Sequence, residues 1–223
     1  MPTLDRHDNV FVLDLGEGEN RFHPDWIASA NEALAEIEKA EGPKALVTAA
    51  VGKFYSNGLD LEWLSAHADQ RQDYVASVHE FLARMLSLPM ITVAALQGHT
   101  FAAGAMLSLA HDFRVLRADR GYWCLPEADI NIPFTPGMAA LIQGRLSPSS
   151  AHEAMLTARR YGGADALAAG IVDAAVAEET VRSTAIDLAQ TQAGKAGETL
   201  GIIKARMYAP ALAALRDRSN PLG

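Results

Sequence analysis

Apolar and polar positions alternate along this chain in two different rhythms. Residues 10–15 (VFVLDL), 45–51 and 91–96 are nearly unbroken apolar runs, the pattern of strands buried on both faces, and 113–116 reads as a further short strand. Between them apolar residues recur at helical spacing. Pro24 opens a helix whose Trp26, Ile27, Ala30, Leu34 and Ile37 share one face, and Gly42-Pro43 stops it. GKFYSNG reads as a loop into a short helix from Asp60, and a longer helix over about 73–86 ends before Pro89. A helix of small residues begins near Ala103, and Thr135-Pro136 supplies an N-cap and first-turn proline for another through Ile142. Beyond Ser147 the pattern is helical over 149–157, 165–169, 178–192 and 200–215, the last kinked at Pro210. Strand, loop and helix repeated over the first two-thirds predict an α/β protein with a mainly parallel sheet.

Composition narrows the picture. With 223 residues, 49 % apolar and 21 % charged, the chain is expected to fold as one sizeable domain, 1–223. Nineteen Lys and Arg against 27 Asp and Glu give a net charge of −8, which argues against a nucleic-acid partner. A single cysteine, Cys124, excludes an intrachain disulfide and a multi-cysteine zinc site, and seven scattered histidines show no HExxH spacing, so no metal is expected. The longest apolar stretch, 101–110, is broken by Gly104 and Ser108 and falls short of the roughly 18 residues of a membrane span. MPTLDRHDNV has no apolar signal core, so a cytoplasmic protein without a membrane partner is expected.

Several motifs carry little. Gly16-Glu17-Gly18 follows a strand as a dinucleotide loop would, but a third glycine is missing and two glutamates would repel a pyrophosphate. Neither GxxxxGK[ST] nor GxSxG occurs. His111-Asp112 follows an apolar helix, where a histidine satisfies terminal carbonyls. The stripe Leu200, Ile203, Met207, Leu212 and Leu215 reads as a packing face, within the chain or against another subunit. Two glycine-containing turns stand out: residues 53–60 (KFYSNGLD) and 98–106 (GHTFAAGAM). Each runs from a small-residue or strand segment into a helix, whose first N–H groups lack intrahelical partners. Read as neighbours, they could place two amides on one carbonyl oxygen; read separately, they are ordinary connections.

Around these turns the chain resembles the crotonase (enoyl-CoA hydratase/isomerase) family. The resemblance lies in KFYSNGLDL (53–61), ALQGHTFAAGAMLSLAHDFRV (95–115), LPEADINIPFTPG (125–137) and ADALAAGIVDAAV (164–176), with GEGENRF matching an Asn-containing N-terminal loop. It implies a ββα spiral over about 1–147, a helical part over about 148–223, and assembly as a homotrimer or a pair of trimers. It also implies an acyl-CoA thioester as substrate and no separate cofactor. Carried over by position, the backbone N–H groups of Leu59 and Ala103 would form an oxyanion hole. Lys53, Phe54, Ser56, Gly58, Gly104, Met106 and Phe134 would contact substrate, with Lys53 near the CoA phosphates.

Two carboxylates distinguish activities within the family. Hydratases use a pair of glutamates; the corresponding positions here are Met106, which exchanges no proton, and Glu127, which does. Hydration needs an activated water and a proton delivered to carbon, whereas moving a double bond from β,γ to α,β needs one base. The pairing of Glu127 with Met106 therefore resembles the isomerase branch, as does INIPFTPGMAAL, which lacks a GGTxRL continuation. Apolar neighbours Trp123, Leu125, Ile130, Ile132 and Phe134 are expected to raise the Glu127 pKa. Asp60 and Asp112 read as capping residues, Glu62 as a weaker second acid, and Trp63, Met85 and Met138 as further walls of an acyl pocket. A hydratase using another acid, and an inactive acyl-CoA-binding or scaffold protein, are the alternative readings.

Overall fold

Strands whose two faces are both apolar must be covered on both, so the apolar runs settle side by side beneath helices. The computed structural model describes residues 1–219 and 221. Its strands are β1 (Thr3–His7), β2 (Val10–Asp14), β3 (Ala45–Ala49), β4 (Phe54–Ser56), β5 (Ile91–Leu96), β6 (His99–Phe101), β7 (Phe113–Arg117), β8 (Trp123–Cys124) and β9 (Ala174–Val176). The larger sheet runs β1-β2-β3-β5-β7-β9, and a smaller one β4-β6-β8. Only β1–β2 is antiparallel, with Thr3 opposite Asp14; the other ladders are parallel, Val47 pairing with Val93 and Phe54 with His99.

The helices are α1 (Pro24–Lys39), α2 (Leu61–Ala66), α3 (Arg71–Ser87), α4 (Ala103–Leu109), α5 (Glu127–Ile130), α6 (Pro136–Arg145), α7 (Pro148–Thr157), α8 (Gly163–Ala168), α9 (Glu178–Gln192), α10 (Glu198–Met207) and α11 (Ala209–Leu215). Each middle turn of the chain crosses the large sheet, then the small one, then enters a helix: β3-β4-α2, β5-β6-α4, β7-β8-α5. This is the ββα spiral that the resemblance implies.

The predicted face of α1 is buried in full. The helix is closed at both ends: His23 Nδ1 accepts the Asp25 N–H, and the buried Lys44 ammonium donates to the carbonyls of Ile37, Glu38 and Ala40. One face of β3 joins the large core through Leu46. The other, Ala45, Val47 and Ala49, packs in a second cluster with Val181, Ala185 and Ala189 of α9.

The C-terminal end of α4 confirms the capping reading of His111. Its Nδ1–H donates to Leu107 O at 2.8 Å, while Arg145 donates to Leu109 O and to the carbonyls of His111 and Asp112. His111 Nε2 accepts from Thr48 Oγ1 at 2.8 Å, and burial lowers its pKa to about 3, so the ring is neutral. Asp112 accepts the Thr92 N–H and pairs with the buried Lys204 at 2.9 Å.

Residues 200–215 differ from the expected single kinked helix. The chain breaks at Tyr208, because Pro210 has no N–H to continue the ladder. The break changes the register of the stripe: Leu212 and Leu215 are buried, whereas Ile203 and Met207 are 53 % and 68 % exposed.

Candidate active site

The two glycine turns meet. β6 turns through Ala102 into α4, and Ala102 sits at φ +52°, ψ −128°, a conformation that costs a non-glycine residue about 1–3 kcal/mol. Opposite it, the chain leaving β4 passes Gly58 at φ +80°. A Cβ on Gly58 would lie 2.6 Å from Ala103 N, and one on Gly104 would lie 2.5 Å from Ser56 O. Both glycines are needed because two backbones touch here.

Several neighbouring amides are engaged. Gly58 N–H donates to Ser56 Oγ at 3.1 Å, Asp60 N–H to Tyr74 Oη at 2.9 Å, and Ala102 N–H to Cys124 O at 3.1 Å. Among the described residues, the N–H groups of Leu59 and of Ala103, the first residue of α4, have no such partner. The Asn-containing loop braces this corner: Asn20 Nδ2 donates to Tyr55 O at 3.0 Å, and Ser56 Oγ donates to Asn20 O at 2.8 Å.

A cavity of about 360 Å³ opens beside these amides. Five of the residues expected to act on or contact substrate share its wall: Leu59, Ala103, Met106, Glu127 and Phe134. Glu127 begins α5, is only 7 % exposed, and its Oε2 is buried without a hydrogen-bond partner among the described residues. Burial raises its pKa from 4.5 to about 7, against a small opposing effect of its own backbone N–H. Ile130, Ile132 and Phe134 line the cavity as expected. Trp123 and Leu125 instead point into the core, where the Trp123 indole donates to Ser108 Oγ at 3.0 Å.

Other expectations need correction. Ser56 is fully buried, with its hydroxyl committed to Asn20 and Gly58, so it shapes the turn rather than facing a ligand. Gly58 and Gly104 act likewise through close backbone approach, outside the cavity wall. Lys53 and Phe54 also lie outside it. Side chains alternate along β4, so Phe54 turns away from the buried Tyr55 and packs against His99 at 5.6 Å. Lys53 sits 5.1 Å over the Phe54 ring, beside a separate polar hollow that includes Gln97, His99 and Arg120. Asp60 caps α2 by accepting the Trp63 N–H, and Glu62 is exposed near Arg21. Trp63 stacks on His67 at 4.3 Å, and Met85 lies in the core; of the residues expected to wall an acyl pocket, Met106, Phe134 and Met138 line this cavity.

Asn57, Arg71 and Val75 also line the cavity and were not singled out, and Thr135, read only as a helix cap, joins them. The Arg71–Val75 spacing puts both on one face of α3, a signal that the expected helix start near residue 73 left out. Among the described residues no three His, Cys, Asp or Glu side chains are grouped to hold a metal ion, and no helix is long and apolar enough to cross a membrane.

The family model for enoyl-CoA hydratase/isomerase matches residues 5–219. The chain belongs to the enoyl-CoA hydratase/isomerase family. Within this family it is similar to the peroxisomal enoyl-CoA delta isomerase 2 of Arabidopsis thaliana, with 37 % identity over 93 % of this chain and 92 % of that protein. Its fold matches that of the apo enoyl-CoA isomerase of Mycobacterium tuberculosis, with a TM-score of 0.90, 28 % identity, and coverage of 99 % of this chain and 96 % of that one. The human mitochondrial Δ3-Δ2-enoyl-CoA isomerase shares the fold at a TM-score of 0.88, with 23 % identity over 99 % of this chain and 88 % of that one. The enoyl-CoA hydratase/isomerase fold thus places Glu127 and the two unpartnered amides around one cavity.

Proposed function

We propose that this protein is an isomerase that shifts the double bond of a 3-enoyl-CoA to the trans-2 position, with Glu127 as the one acid–base group. The observation that carries this reading is the buried, unpartnered Glu127 Oε2 beside two unpartnered backbone amides. The thioester oxygen would accept from Leu59 N–H and Ala103 N–H, forming an oxyanion hole. Glu127, as carboxylate, takes a proton from the α carbon. The electron pair spreads over the dienolate, and its charge settles on the thioester oxygen, where preorganised donors contribute about 3–4 kcal/mol each. Glu127 then returns the proton to the γ carbon, leaving the conjugated thioester and an ionised carboxylate. Met106, one turn into α4 and buried in the cavity wall, offers no second proton donor for adding water. The similarity to proteins named as enoyl-CoA delta isomerases supports the same choice.

The test follows near-ultraviolet absorbance as a 3-enoyl-CoA becomes conjugated. Glu127→Ala is expected to lower kcat about 10²- to 10⁴-fold while the protein still melts cooperatively. An undiminished rate would remove the mechanism, and a product heavier by one water would mark a hydratase instead.

A further inference from the structure

Among the described residues Arg71 is the one cation in the cavity wall, and the isomerisation does not use it. It begins α3 and is exposed, and among the described residues it makes no ion pair or side-chain hydrogen bond. Its neighbours in the wall are apolar. Val75 lies one turn further along the same face of α3, and Leu61 and Leu64 come from α2. Deeper along α3, Thr135 Oγ1 is already engaged by His79 Nε2 at 2.7 Å. The cavity therefore has two charged side chains, Glu127 and Arg71, and only Glu127 has been given a task. Tyr74, three residues on from Arg71, receives the Asp60 N–H and ties this part of α3 to the turn that carries Leu59.

A guanidinium at the start of a 17-residue helix sits against the positive end of the helix dipole, which favours an anion in front of it. A carboxylate entering an apolar cavity without a partner would be costly. An arginine at the solvent end of the cavity removes that cost for one kind of chain, because its planar fork matches a carboxylate with two parallel hydrogen bonds. We propose that Arg71 makes this cavity selective for acyl chains that end in a carboxylate. The substrate class becomes the mono-CoA ester of an unsaturated dicarboxylic acid. This inference rests on the acyl-thioester reading of the cavity.

Calorimetry with two saturated, unreactive CoA esters of equal length, one ending in a carboxylate and one in its methyl ester, tests it without turnover. The wild-type protein is expected to bind the carboxylate-ended ester about tenfold or more tightly, as a charge-assisted pair allows. Arg71→Gln brings the ratio close to one, and Arg71→Lys restores part of it. Equal ratios in wild type and Arg71→Gln would overturn the proposal. Pantetheine thioesters, which lack the nucleotide phosphates, separate the two possible anions. If the Arg71-dependent preference persists with them, the acyl carboxylate is its source. If Arg71→Gln weakens both CoA esters alike and neither pantetheine ester, Arg71 reads phosphate and the proposal falls. A protein that binds none of these esters would sink the proposed function itself.

Discussion

The two ends of α4 treat their backbone groups in opposite ways. At its C-terminus His111, Arg114 and Arg145 supply donors to the terminal carbonyls, and Asp112 is held between Thr92 and Lys204. At its N-terminus the Ala103 N–H is left without a partner, and the buried Glu127 oxygen on the same cavity wall is left without one too. Both ends are buried, so water does not account for the difference. Buried polar groups are ordinarily satisfied, and the C-terminal end of α4 follows that rule. Among the described residues Glu127 Oε2 is the one unpartnered buried side-chain atom on the cavity wall, and there a ligand can supply the missing partner.

The sharpest way to break this contrast is to spoil the N-terminal corner. Gly58→Ala places a methyl 2.6 Å from Ala103 N at a φ of +80°, so the backbones must separate. A fall in kcat of about 10²- to 10³-fold is expected, the effect of losing one such donor, measured by steady-state kinetics alongside a melting curve. The C-terminal corner should fail differently. Lys204→Ala strands Asp112 and is expected to cost about 3 kcal/mol in denaturant unfolding, with its main effect on stability rather than on kcat.

The smallest effect, at most about 1.4 kcal/mol per pH unit, separates the two ends by sign. Folded Glu127 keeps its proton up to about pH 7 against 4.5 unfolded, so this group's contribution to stability falls as pH rises across that window. Folded His111 stays neutral down to about pH 3 against 6.5 unfolded, so its contribution rises with pH over that range. Denaturant midpoints at pH 5 and pH 7.5 should show Glu127→Gln gaining on wild type at the higher pH. Isomerisation by wild type should rise through about pH 7 as Glu127 ionises.

The large sheet was legible because β2, β3 and β5 each carry an apolar side chain at nearly every position. The small sheet was not, since β4, β6 and β8 are two or three residues long and owe their extension to one another. β1 also escaped: TLDRH is largely exposed and polar, an edge strand held by pairing with β2. In the site, Glu127, Leu59, Ala103 and Met106 came from the family resemblance, carried over position by position from its motifs, and the structure brings them to one cavity wall. Phe54 and Ser56 were misplaced because which face of β4 they occupy depends on an unrecognised strand. Arg71 was missed because α3 reaches the cavity only through tertiary packing.

Sealing Glu127 Oε2 from bulk water has an isotopic consequence. A carboxyl whose proton trades slowly with solvent can keep the hydrogen it has just abstracted. Deuterium placed on the α carbon of the substrate should therefore reappear, in part, on the γ carbon of the product. The cavity would carry a memory of where each hydrogen came from.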